Sequence, residues 1–105
     1  MSKQIILCAD DYARNPAVSK AIIELIEKKR LSATSCLASS PYWPSHAHWL
    51  APFAHQIDVG LHFNLTEGIA LAEMPKTTRL GQFTRLPTLL LKSFLRRLNP
   101  EEITA

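Results

Sequence analysis

A short apolar run that stops abruptly on two acids constrains this chain more than any other feature. Gln4 to Ala9 reads Gln-Ile-Ile-Leu-Cys-Ala, and Asp10 and Asp11 follow at once. The run is too short for a buried helix and apolar on both faces, which suits a strand inside a parallel sheet. Asn15 then offers a helix cap, with Pro16 at the first helical position, where its missing N–H costs nothing. Val18, Ala21, Ile22, Leu25 and Ile26 recur at helical spacing and predict one buried face, while Glu24, Glu27, Lys28 and Lys29 lie outside it. The expectation is a strand near residues 4–9, an acidic turn, and a helix over residues 16–29.

The same alternation continues. Small residues from Ser32 to Ser40, ended by Pro41, predict a second strand near 33–39. A helix near 45–51 carries His46, His48 and Trp49, and Ile57 to Phe63 predicts a third strand near 57–63. Crossovers of this length join parallel strands, so the fold class is α/β. Residues 66–86 show no period and read as a long loop, which in a small domain is usually functional or mobile. Leu89, Leu90, Leu91, Phe94, Leu95 and Leu98 predict a further helix over 88–98. Asn99-Pro100-Glu101-Glu102 is a complete helix-start signal with Ala105 close behind it, a pattern expected of part of a domain.

Composition narrows the class. At 105 residues, 47% hydrophobic and 20% charged, the chain has material for one small core. Its net charge of +3 arises wholly in residues 71–105, where six Lys/Arg stand against three Asp/Glu. These cations are scattered without interleaved aromatics, so no nucleic-acid partner is expected. No apolar run approaches the roughly 18 to 20 residues of a membrane span, and no membrane partner is expected. The N-terminal apolar stretch falls short of the about 7 to 15 residues of a secretory signal, so a cytoplasmic location is expected. Cys8 and Cys36 lie in apolar contexts without metal-site spacing and read as reduced core residues.

Chemistry concentrates at the strand ends. Active sites of parallel α/β folds lie at the carboxyl ends of the strands, where the loops are free to vary. Asp10, Asp11 and His62 all fall there, and an Asp and a His are sensible ligands for a divalent ion. Adjacent residues of an extended segment point to opposite sides, so the two aspartates are expected to do different work. The acid pair also fits a plain turn, and a strand histidine a satisfied core residue. His46, His48, Trp43, Trp49 and Phe53 fit either a packed helix or an aromatic wall. Asn64, Thr66 and Glu67 fit either contacts to a polyol or loop closure.

Three segments together resemble the YdjC-like carbohydrate deacetylases, a family that includes the chitooligosaccharide deacetylases. They are Cys8-Ala9-Asp10-Asp11-Tyr12 leading to Asn15-Pro16-Ala17-Val18, then Thr34-Ser35, then Val59-Gly60-Leu61-His62-Phe63-Asn64-Leu65-Thr66-Glu67-Gly68. The last resembles the family's Gly-Leu-His-Leu-Asn-Leu-Thr-Glu-Gly signature, and the first its Asn-Ala-Asp-Asp-Phe-Gly. Cys8 stands in place of that Asn, and Tyr12-Ala13 in place of Phe-Gly.

The resemblance implies that residues 1–105 are the N-terminal portion of a TIM-like (β/α) barrel, incomplete in this chain. It implies metal-dependent removal of an N-acetyl group from an amino sugar or chitooligosaccharide. Asp10 would be the catalytic base, Asp11 and His62 the ligands of a magnesium or zinc ion, and Asn64, Thr66 and Glu67 contacts to the substrate. The family's third ligand, a His in a later Asp-Ser-His-Gln-His-like motif, has no counterpart in these 105 residues. An open sheet edge would remain, covered by a second copy or a companion chain. The alternative is a non-catalytic sugar- or metal-binding module from a truncated paralogue.

Overall fold

A computed structural model describes residues 2–104. The terminal residues of the 1–105 span lie outside the described residues. The chain forms two compact units, one ending at Phe63 and the other beginning at Asn64.

The first unit is built on three parallel strands in the order β1-β2-β3: Cys8–Tyr12, Ala33–Cys36 and Asp58–Leu61. Helix α1 (Pro16–Glu27) joins β1 to β2, and helix α2 (Trp43–Leu50) with a 3-10 turn at Ala51–Phe53 joins β2 to β3. The α/β alternation expected from the apolar pattern is therefore present. Pro52, awkward for a continuing α-helix, is accommodated in the 3-10 turn. Tyr12, Ala13, Ile22, Ile26, Cys36, Leu50 and Ile57 form the core.

Several boundaries differ from the expectations, each for a local reason. The first strand pairs over Cys8–Tyr12 rather than 4–9, because its ladder starts where Cys8 meets Ala33, the first residue of β2. Ile5 and Ile6 stay exposed. The second strand stops at Cys36 rather than 39, since the backbone turns there, with Ala38 N donating to Cys36 O and Ser40 N to Leu37 O. Helix α1 ends two residues early, because Lys29 takes φ 56°. Arg30 N then donates to Leu25 O and Lys29 N to Ile26 O, a Schellman closure. Its buried stripe is Ser19, Ile22 and Ile26; Ile22 and Ile26 are buried as expected and Val18 is half-buried against the core, whereas Ala21 and Leu25 are exposed. Ser19 belongs inside because its hydroxyl bonds Ala13 N at 3.0 Å and His46 Nδ1 at 2.8 Å. Cys36 is buried as expected, whereas Cys8 is exposed, since no strand pairs with the outer edge of β1 among the described residues.

In the second unit, residues 66–86 carry isolated antiparallel bridges, Ile69 to Gln82 and Arg79 to Gln82, and bury Met74, Thr77 and Thr78. Helix α3 runs over Leu86–Phe94, not 88–98, because a left-handed Arg96 (φ 54°) closes it. The Asn99 signal starts helix α4 (Pro100–Thr104), with Asn99 Oδ1 accepting from Glu101 N. Glu102 returns to the loop and accepts from Lys76 N, Thr77 N and the Thr77 hydroxyl at 2.8–3.0 Å. Burial alone would raise the Glu102 carboxyl; those hydrogen bonds outweigh it and hold the group below its ordinary range. Among the described residues no helix is long and apolar enough to cross a membrane.

Candidate active site at the carboxyl edge of the sheet

The regular ladder between β1 and β2 breaks just where the acids stand. Ala9 pairs with Thr34 and Tyr12 with Cys36, so three steps on β1 oppose two on β2, a β-bulge with one extra residue. Asp11 absorbs it by adopting φ 68°, and Ala13 follows at φ 72°. A left-handed residue inside a strand rotates its side chain off the alternating pattern. The two carboxylates therefore do not diverge as extended neighbours would; both reach towards one imidazole.

That imidazole belongs to His62, which follows β3 directly and whose N–H donates to Cys36 O at 2.9 Å. Its Nδ1 lies 3.2 Å from Asp11 Oδ1, 3.3 Å from Asp11 N and 3.2 Å from Ser35 Oγ. Ser35 donates to Asp10 Oδ1 at 2.7 Å, so one hydroxyl links the second aspartate to the same ring. The Cys8 thiol approaches that oxygen as well, at 3.7 Å. Arg14 stands on the far oxygen of Asp11, with Nη1 3.6 Å from Oδ2. The hydrogen bond from Ser35 holds the Asp10 carboxyl below its ordinary range against partial desolvation, aided by Cys8 and by nearby His62.

The donor chemistry fits a divalent ion at Asp11 and His62. The imidazole nitrogen and the carboxylate oxygen, 3.2 Å apart, are both atom types that zinc and similar ions take as ligands. Among the described residues no group of three or more His, Cys, Asp or Glu side chains is placed to hold a metal, so these two form a pair.

The other sequence candidates make local contacts. His46 is 2% exposed and stacks on Trp49 with ring centroids 4.0 Å apart, while the Tyr12 hydroxyl donates to its carbonyl at 2.6 Å. Its segment is a packed helix. Asn64 closes the loop at the start of the second unit, its Oδ1 accepting from Thr66 N and Glu67 N and its Nδ2 donating to Glu67 O. Ser35 stands in the Thr34-Ser35 segment, and nothing in its residue type or spacing points to the link it makes between Asp10 and His62.

Residues 4–105 match the family model described as YdjC-like protein. The chain belongs to the YdjC-like family. Relatives include a chitooligosaccharide deacetylase of Escherichia fergusonii, 35% identical over 77% of this chain and 32% of the relative. A carbohydrate deacetylase of Enterococcus faecalis is 31% identical over 71% of this chain and 29% of its own length. This YdjC-like chain thus spans about a third of the curated relatives it matches. A solved protein from Enterococcus faecalis V583, described as a candidate for cellobiose-phosphate cleavage, superposes with a TM-score of 0.77 and 25% identity, covering 98% of this chain and 40% of that one.

Proposed function

We propose that this chain carries the first part of the active site of a metal-dependent deacetylase acting on N-acetylated amino sugars or chitooligosaccharides. One observation carries the reading: Asp10, Asp11 and His62, remote in sequence, converge through Ser35 and a single imidazole nitrogen. The family membership and the deacetylase names of the relatives support it. On this reading the three parallel strands are the opening strands of a TIM-like barrel.

Asp11 and His62 would hold a magnesium or zinc ion. Such an ion supplies Lewis-acid activation of water and of the acetamide carbonyl. Asp10 acts as the base. Its Oδ1 is engaged by Ser35 and Cys8, which leaves Oδ2 for proton transfer, and its lowered pKa keeps it ionised at neutral pH. The proton it takes from water is available for the departing amine. Asn64, Thr66 and Glu67 would contact the sugar. A second copy or a companion chain would cover the open edges of the sheet.

A second reading rests on the ligand pair standing without a third member among the described residues: a non-catalytic sugar- or metal-binding module. Acetate release from diacetylchitobiose with added magnesium or zinc separates the two. Metal-dependent release that disappears in Asp10→Asn supports the enzyme. Metal binding lost in His62→Gln, without any release, supports the module. Neither binding nor release would sink both.

A further inference from the structure

Between Ala9 and Tyr12 the register with β2 slips, so the ladder alone does not fix the backbone that carries Asp11. The residues just beyond are held by other means. Ala13 is fully buried and left-handed at φ 72°, a conformation in which an alanine Cβ crowds the following carbonyl oxygen. Both of its backbone polar groups are met by side chains from outside the strand. Its N–H donates to Ser19 Oγ of α1 at 3.0 Å, and its carbonyl accepts from the hydroxyl of Ser40, in the bend before α2. Each serine is fixed in turn. Ser19 Oγ lies 2.8 Å from His46 Nδ1, and Ser40 Oγ accepts from Tyr42 N at 3.1 Å.

Buried backbone groups must find partners, so two hydroxyls closing on one residue dictate where its peptides sit. Returning Ala13 to extended backbone would swing its N–H and carbonyl away from both serines. Tyr12 passes the constraint on, because its hydroxyl donates to His46 O at 2.6 Å and its carbonyl accepts from Leu37 N at 2.9 Å. With both following residues pinned, Asp11 keeps the φ of 68° that brings its amide to 3.3 Å and its carboxylate to 3.2 Å from His62 Nδ1.

We propose that Ser19 and Ser40 are positioning residues: closed on Ala13, they hold the bulged turn in the form that aims Asp11 at His62. They act through the Ala13 backbone, two residues from the carboxylate. The clamp itself is a matter of geometry; its chemical consequence, tighter metal binding, rests on the ligand pair proposed above.

Amide hydrogen exchange followed by NMR on the 105-residue chain reads the effect at Asp11, whose N–H partner His62 the substitutions leave untouched. Ser19→Ala/Ser40→Ala is expected to speed exchange at Asp11 by about tenfold or more relative to buried Ile22 of α1. Adding Ala13→Gly should restore most of that protection, since glycine takes a positive φ without steric cost. Hydroxyls needed only for packing would not be rescued by a smaller neighbour. Ser40→Ala alone, at a half-buried position outside any helix or strand, gives the same direction and rescue should the double variant fail to fold. Unchanged exchange at Asp11, an equal loss at Ile22, or no rescue by Ala13→Gly overturns the clamp. Zinc and magnesium titrations of the same variants separate it from the deacetylase reading. Affinity that falls and returns in step with Asp11 exchange supports both. A wild-type chain that binds neither metal removes the ligand pair, and the exchange result still decides the clamp.

Discussion

Asp11 does two jobs at once, because its backbone is left-handed at φ 68° and its carboxylate faces His62. Asp and Asn tolerate that conformation better than most residues. Asp11→Asn is therefore expected to keep the fold while lowering zinc or magnesium affinity by more than about tenfold. Calorimetry beside a melting curve checks this, and unchanged affinity would remove Asp11 from the site. His46 gives the pH dependence: burial first, with Lys20 nearby, holds its imidazole below the ordinary range. The unfolded chain takes up that proton near about pH 6.5, and the folded chain only at lower pH. Its contribution to stability is full above that point and lost as pH falls. Urea midpoints measured from pH 8 to pH 5 should decline, and His46→Gln should flatten the decline; equal slopes would exclude the role. The positions of Asp10, Asp11 and His62 were legible in sequence, because strand ends are marked by where apolar runs stop. Their orientation was not. A single positive φ turns two expected opposite faces into one, and no residue type around Asp11 announces it.

At the scale of elements, existence and order were legible while ends were not. Helices α1 and α3 both close on basic residues in the left-handed region, Lys29 and Arg96, where glycine is the usual choice. The sequence carries no glycine there to mark the stop, so each helix was expected to run on. Lys29 is exposed, and its side chain gains nothing that offsets the conformation. Lys29→Gly should stabilise the chain by about 1 kcal/mol, raising the melting temperature by roughly 4–8 °C. A calorimetric scan that shows no rise would mean the Schellman closure is unstrained. The apolar run 4–9 extends in the opposite direction, beyond the start of the ladder at Cys8. Hydrophobicity marks a segment fit for a sheet, but the ladder forms only where a partner offers backbone groups, and β2 begins at Ala33.

On the whole molecule, the sheet is apolar beyond what its own helices cover. Ile5, Ile6 and Leu7 beside β1, and Val59, Leu61 and Phe63 along β3, are all exposed. Both outer strands present unpaired edges among the described residues, a situation natural proteins rarely leave open. Light scattering coupled to gel filtration should find the isolated chain self-associated, with Leu61→Lys/Phe63→Lys shifting it towards monomer; a wild-type monomer at micromolar concentration contradicts the proposed cover. Three-for-two pairing at Ala9–Tyr12 bears on such engineering as well. Its extra residue serves no ladder bond. Only Asp10 and Asp11 lie between Ala9 and Tyr12, so deleting the extra residue would give a straighter, better-paired strand and remove one of the two carboxylates. A search for sturdier variants would therefore favour removing the irregularity on which the proposed chemistry depends, so stability and activity should be screened together.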